Sequence, residues 1–286
     1  MKVLIIGAKG QLGSELMKIC PKNCRAVGMD VPEIDITDPA NLDQAMAAHT
    51  PDWVINCAAY TQVDRAETDA DAAHAVNCTG PANLARAVKA NQARLVHIST
   101  DFVFSGDQSR PYKPDDRPDP KSVYGKTKLA GEQAVSDILG NEVLIIRTAW
   151  LYAAHGNNFV KTMIRLMKEK EVLTVVDDQV GTPCWAKGLA QAVWAAVEKR
   201  LTGVFHWTDA GVASWYDFAV AIQEEALAAG LLDRTIPVLP IPGHQYPTPA
   251  HRPDFSVLDK SDLVAAIGIT PDHWRRQLRC MLQELQ

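Results

Sequence analysis

The chain has 286 residues, 47% of them hydrophobic, with a net charge of -5 and a sequence pI near 5.9. That length buries a large core and predicts one large domain or one and a half. The acidic balance and the lack of a Lys/Arg stripe exclude nucleic acid and anionic membrane surfaces as partners, and no stretch approaches the roughly 18 apolar residues of a membrane-spanning helix.

Met1-Lys2 followed by Val3 to Ile6 superficially suggests a signal peptide, but the apolar run ends at once in Gly7, so it reads as a first strand. A cytoplasmic protein is expected. The six cysteines, Cys20, Cys24, Cys57, Cys78, Cys184 and Cys280, form no CxxC pair. They read as reduced core thiols, and Cys20 with Cys24 and no nearby His is a poor zinc site.

Lys2 to Ile6 is closed by Gly7-Ala8-Lys9-Gly10-Gln11-Leu12-Gly13 and then by a helical pattern through Leu12, Leu16, Met17 and Cys20. Arg25 to Met29 is a second strand. It ends at Asp30, about the distance from the glycines at which a ribose-binding acid is placed. Asp38-Pro39 predicts an N-cap with proline in the first turn of a helix whose inner face is Leu42, Ala45 and Met46. Trp53 runs as a third strand into a turn at Ala58-Ala59-Tyr60. A helical stretch follows, kinked near Gly80-Pro81, and Leu95 to Ile98 is a fourth strand.

Alternating strands and helices predict a Rossmann-type doubly wound parallel sheet with helices on both faces. Ligands of such sheets bind outside the carboxyl ends of the strands, where Gly7, Asp30, Ala58-Ala59 and Ser99-Thr100 converge. Residues 105 to 120, rich in Pro, Asp, Gly and Ser, read as a surface loop able to move over that crevice. Ser122 to Val135 is then a helix, Val143 to Ile146 a strand and Asn158 to Met167 a helix.

After a turn at Thr182-Pro183, a helix over Leu189 to Val197, a strand at Val204 to Trp207 and a helix capped by Ser214 are expected. Ile236 to Ile241 is extended and Pro242 to Pro253 a polar loop. A helix starting at Thr270-Pro271 buries Trp274, Leu278 and Leu282. Residues 1–150 are expected to bind a dinucleotide. Residues 151–286 are expected to complete the sheet and form a smaller α/β substrate-binding lobe.

Three clusters carry chemistry. Gly7-x-x-Gly10-x-x-Gly13 between a strand and a helix lets a pyrophosphate approach the backbone, where the helix N-terminus offers free N–H groups. Asp30 favours NAD through its ribose, whereas Lys9 would suit the 2′-phosphate of NADP; a solvated strand-end carboxylate is the plain alternative for Asp30. Tyr124 and Lys128, four apart, share one helix face. An ammonium there is expected to lower the phenol pKa from about 10 and ready Tyr124 to protonate a carbonyl oxygen that Thr100 holds in line.

These stretches, with Cys57-Ala58-Ala59-Tyr60-Thr61-x-Val63-Asp64-x-Ala66-Glu67, Val76-Asn77, Ser99-Thr100-Asp101-x-Val103-Phe104, Arg147-Thr148-x-Trp150 and Arg252-Pro253-x-x-Ser256-x-Leu258, span nearly the whole chain. By them the chain resembles the extended short-chain dehydrogenase/reductases, and within these the dTDP-4-dehydrorhamnose reductase family. The resemblance implies a catalytic set of Thr100, Tyr124 and Lys128. It implies NADPH or NADH held by Gly7, Gly10, Gln11, Leu12, Asp30, Asp35, Ile36, Ala58, Ala59, Tyr60 and Lys128, and a nucleotide-sugar faced by Thr100, Asp101, Tyr124, Trp150 and Arg252.

A guanidinium at Arg252 also suits a diphosphate on chemical grounds, and an indole at Trp150 can pack on a sugar face; the plain alternative for Arg252 is a salt-bridged loop arginine. The implied reaction is reduction of the C4 ketone of dTDP-4-dehydro-L-rhamnose. Phe102 stands where the family usually has Tyr, and related dehydratases carry Glu directly after the Thr-Asp pair, so elimination is disfavoured. Glu15 and in part Glu284 match a glutamate magnesium site that joins some family dimers. Lys187 occupies the place of a further glutamate, so no metal is expected, while a homodimer remains open. The rivals are a reductase or epimerase of another 4-keto nucleotide sugar, and a non-catalytic subunit resembling the regulatory subunit of methionine adenosyltransferase.

Overall fold

The computed structural model describes residues 1–286. In the first half β1 (Lys2–Ile6), α1 (Gln11–Lys18), β2 (Arg25–Met29), α2 (Pro39–His49) and β3 (Trp53–Asn56) are followed by two short helices, α3 (Val63–Ala66) and α4 (Ala70–His74). Then come α5 (Gly80–Ala90), β4 (Arg94–Thr100), α6 (Val123–Leu139) and β5 (Val143–Thr148). In the second half are β6 (Leu151–Tyr152), α7 (Phe159–Glu169), β7 (Leu173–Val176), β8 (Val180–Gly181), β9 (Cys184–Trp185), α8 (Ala186–Glu198) and β10 (Gly203–His206). β11 (Ala213–Ser214), α9 (Trp215–Ala228), β12 (Val238–Ile241), α10 (Ser261–Ile267) and α11 (Trp274–Gln283) end the chain.

Six strands form one parallel sheet in the order β10-β5-β4-β3-β1-β2. Burial on both faces explains why its central strands read as unbroken apolar runs instead of alternating ones. Val3, Ile5 and Ile55 face α1 and α8 through Leu12, Leu16, Leu189 and Trp194. Leu4, Ile6 and Val54 face α2, α5 and α6 through Leu42, Met46, Leu84 and Val135. The strand order reverses beside β1, and the crevice at that reversal is where doubly wound sheets take their ligands.

Asp38 caps α2 as expected, its carboxylate accepting from Ala40 N at 2.9 Å with Pro39 in the first turn. Met17 lies over Gly28 at the exposed rim of α1 instead of joining its buried stripe, and the helix stops before Cys20. The kink expected at Gly80-Pro81 is a widened π-turn one turn earlier, Ala75–Thr79. There the buried Asn77 amide ties three segments together: Oδ1 accepts from Tyr60 N, and Nδ2 donates to Tyr60 O and Thr127 Oγ1.

The smaller lobe is stitched by three two-stranded ladders, β6 with β9, β7 with β12, and β8 with β11. Its core gathers Tyr152 from β6, Met163 from α7, Phe218 from α9, and Trp274, Leu278 and Leu282 from α11. Ser214 and Asp217 form a reciprocal capping box at the start of α9. The last helix begins at Trp274, later than Thr270-Pro271, because residues 272–274 run extended beside Ala210 and use their backbone groups there: Ala210 N donates to Asp272 O and Trp274 N to Ala210 O.

The loop over 105 to 120 is fastened at its middle instead of hanging free. Tyr112 is buried, stacks on Phe104 at 4.2 Å, and exchanges backbone bonds with Val257 and Asp259. All six cysteines are free thiols, but only Cys184 is fully buried; the others lie at partly exposed edges of the core. No helix is long and apolar enough to cross a membrane.

Candidate active site

A cavity of about 860 Å3 opens at the carboxyl ends of β1, β2, β3, β4 and β5. One wall is the glycine turn. Gly7 has φ of +80°, and a Cβ there would lie 2.8 Å from Ala58 N, so the turn needs glycine both for its hand and for its closeness to the chain after β3. Gly10 stands at the N-cap of α1 without a side-chain cap, leaving the first N–H groups of that helix available to an anion. Asp30 closes the neighbouring strand end, Oδ2 accepting from Lys9 N at 2.8 Å and Oδ1 from Val31 N at 2.9 Å.

Gly7, Gly10, Gln11, Leu12, Asp30, Asp35, Ile36, Ala58 and Ala59 all line this cavity, together with Thr100, Asp101, Tyr124, Lys128 and Trp150. Tyr60 and Arg252 do not. Tyr60 is turned away, its phenol donating to Asp69 at 3.2 Å. Arg252 is gripped from both guanidinium nitrogens by Asp64, at 3.0 and 2.7 Å, and bonds Thr248 as well. The salt-bridged alternative thus describes its position, with Asp64 one residue beyond the lining Val63.

Tyr124 and Lys128 lie on the first turns of α6. Ser122 Oγ accepts from Gly125 N, and the Glu67 carboxylate accepts from Val123 N at 2.8 Å, so two acceptors fix the start of this helix. Tyr124 packs among Ala66 and Ala73 with Phe102 edge-on at 5.4 Å. Burial pushes its phenol up to about 12, opposed in part by the Thr100 hydroxyl and aided by Asp101.

The lowering expected from Lys128 is absent because that ammonium is directed elsewhere, donating to Ile98 O at 2.7 Å. Burial brings Lys128 down to about 8, against the pull of Glu132 one turn on. Thr100, at the end of β4, donates to Asp101 Oδ1 at 2.9 Å and accepts from Phe102 N. Burial raises Asp101 to about 6.

At the other end of the wall Trp150 has φ of +46°, an unusual conformation for a bulky residue that costs on the order of 1–3 kcal/mol. Sequence reasoning missed four supporting residues: Glu67, Asn77, Glu132 and Trp215. Their contacts reach across long stretches of chain, and no local spacing announces them, although Glu67 and Asn77 fall inside the family motifs.

A cavity with a glycine cradle, a strand-end acid, a buried phenol beside a hydroxyl, and a lysine in the same lining can hold a dinucleotide and protonate an oxygen next to it. The family model described as the RmlD substrate binding domain matches residues 1–286. The chain belongs to this family. It is 40% identical to a dTDP-4-dehydrorhamnose reductase of Aggregatibacter actinomycetemcomitans, with 97% of each chain covered. Among solved structures, a dTDP-4-dehydrorhamnose reductase of Clostridium acetobutylicum superposes with a TM-score of 0.93 at 42% identity over 100% of both chains. The Bacillus anthracis enzyme of the same name, in complex with NADP, gives 0.93 at 36% identity over 99% of each.

Proposed function

We propose that this RmlD-family chain is an NAD(P)H-dependent oxidoreductase, cytoplasmic, that reduces the C4 ketone of dTDP-4-dehydro-L-rhamnose to dTDP-L-rhamnose. The observation that carries the reading is that Thr100 and Tyr124 share one cavity with the Gly7 to Gly13 turn. Residues 1–150 hold the cofactor, and residues 151–286 complete the sheet and bring the lobe that closes on the sugar. Gln11 and Leu12 would present free backbone N–H groups to a pyrophosphate over the turn that Gly10 closes by donating to Gly7 O, and Asp30 would accept from the adenosine ribose.

When bound, the reduced nicotinamide supplies the hydride that adds to the carbonyl carbon. Thr100 orients the carbonyl oxygen. Tyr124 gives that oxygen its proton as charge develops there, leaving a phenolate that solvent reprotonates. A phenol held near 12 keeps its proton at neutral pH and is still far more acidic than an alkoxide's conjugate alcohol, so the donor is always loaded. Lys128, charged below about 8 and anchored on Ile98 O at the carboxyl end of β4, would donate to the nicotinamide ribose and help to hold the cofactor in place. Arg252 reaches the diphosphate by exchanging the Asp64 carboxylate for phosphate oxygens, both of which suit its fork.

The test follows cofactor absorbance with dTDP-4-dehydrorhamnose and a panel of other 4-keto nucleotide sugars, using NADPH and NADH separately. Turnover fastest with dTDP-4-dehydrorhamnose is expected; no oxidation of either cofactor sinks the proposal.

Cofactor choice has its own handle. Lys9 lines the cavity, but its ammonium is paired with Glu33 at 3.1 Å in an exposed ion pair. Glu33→Gln frees the ammonium and removes a negative charge from the 2′-phosphate's surroundings. The KM for NADPH should fall roughly threefold with that for NADH unchanged, read from initial rates at varied cofactor; an equal change in both would show that Lys9 does not meet the 2′ position.

A further inference from the structure

Trp150 is the strained member of the cavity wall, and what holds it lies in the other half of the chain. Its carbonyl accepts from Cys184 N at 3.2 Å, the start of the β6–β9 ladder. Its indole lies flat on Trp215, ring centroids 3.5 Å apart and planes 7° from parallel. Phe159 packs on Trp215 at 4.7 Å, the two rings tilted by 52°. The edge of the same indole runs over Gly181, where a Cβ would sit 2.6 Å from Cε2 and 2.7 Å from Nε1.

Gly181 and Trp215 arrive together. β8 pairs with β11 so that Gly181 faces Ala213 and Val180 faces Ser214, and Ser214 is the cap from which α9 starts with Trp215. One small ladder therefore places the indole's stacking partner and the bare backbone at its edge. The capping box, in which Ser214 and Asp217 bond each other's backbone groups, fixes the direction in which Trp215 leaves the ladder.

We infer that Trp215 and Gly181 are positioning residues for the substrate: they clamp the Trp150 indole in its left-handed conformation and so set the wall against which the sugar is aligned under Tyr124. Neither residue lines the cavity. Both act through Trp150, so their loss affects the nucleotide-sugar and leaves the dinucleotide end of the site alone. This inference rests on the reductase reading given above.

Trp215→Ala, Trp215→Phe and Gly181→Ala are compared with the wild type for kcat, for KM of dTDP-4-dehydrorhamnose at saturating NADPH, and for the Kd of NADPH. Trp215→Ala should raise the sugar KM about tenfold, the scale of a lost aromatic stack, with kcat changed less than threefold and the NADPH Kd unchanged. Trp215→Phe, which restores a ring, should recover most of the loss. Gly181→Ala keeps the stack but pushes on the indole edge and should raise the sugar KM alone; it carries the test if Trp215→Ala fails to fold. An unchanged sugar KM in both Trp215→Ala and Gly181→Ala, or an NADPH Kd that weakens in parallel, overturns the inference while leaving the reaction standing. A wild type that turns over no 4-keto nucleotide sugar overturns both.

Discussion

Tyr124→Phe lowers kcat by about 10²–10⁴, the usual worth of a positioned proton donor, and leaves the affinity for cofactor nearly unchanged. The ring remains packed among Ala66 and Ala73 and edge-on to Phe102, and only the hydroxyl beside Thr100 is lost. Single-turnover hydride transfer, with cofactor affinity measured separately, checks both halves; a rate within threefold of wild type would remove Tyr124 from the mechanism. The same variant sharpens the pH profile. Because the wild-type phenol is held near 12, the alkaline fall in kcat/KM for the cofactor belongs to Lys128, whose proton is lost near 8. That limb should persist in Tyr124→Phe.

Glu132→Gln and Arg147→Met should each cost about 3–5 kcal/mol of stability. Arg147 and Glu132 are both 5% exposed, and the guanidinium meets the carboxylate from Nε at 2.9 Å and from Nη2 at 2.7 Å. Nη1 bonds Pro114 O, and the cation lies 5.1 Å over Phe104. Either single change leaves one charge, or its unmatched polar partner, in the interior, whereas Glu132→Gln/Arg147→Met removes both charges and should recover part of the loss. Thermal unfolding of the two single variants and the double gives the comparison, with a fall of roughly 10 °C expected for each single. Singles within about 1 kcal/mol of wild type would mean that water reaches the pair. Since Glu132 lies one turn beyond Lys128, its loss also lowers the Lys128 pKa further and moves the alkaline limb of the rate profile to lower pH.

What could be read in the sequence was what the chain writes locally. The glycine turn, the Asp38-Pro39 start of α2 and the Ser214 cap are each set by residues within a few positions of one another, and Tyr124 and Lys128 are one turn apart on one helix. What local spacing does not carry depends on partners far along the chain. Lys128 spends its ammonium on Ile98 O, thirty residues back, so it does not depress the phenol. Arg252 spends its fork on Asp64, 188 residues away. The start of α11 slips to Trp274 because Ala210 claims the backbone before it. The loop at 105 to 120 had the composition of a free surface segment, yet buried Tyr112 fastens it, together with the bonds that Pro114 O accepts from Arg147 and that Asp119 N donates to Val103 O. Hydrophobic period and turn chemistry report which elements form; they carry no record of which distant group takes a donor's last hydrogen bond.

The edge strand β10 sets the order in which the molecule can be completed. β5 is flanked by β4 on one side and by β10 on the other, and β10 is reached only after β6, α7, β7, β8, β9 and α8. During synthesis the far side of β5 therefore stands as a row of unpaired backbone groups until His206 has emerged, a ready template for another chain. A fragment cut after Trp150 keeps that open edge permanently. Separate expression of the first 150 residues should yield a self-associating product, and a chain that continues through β10 is the shortest in which β5 finds its second neighbour within the same molecule.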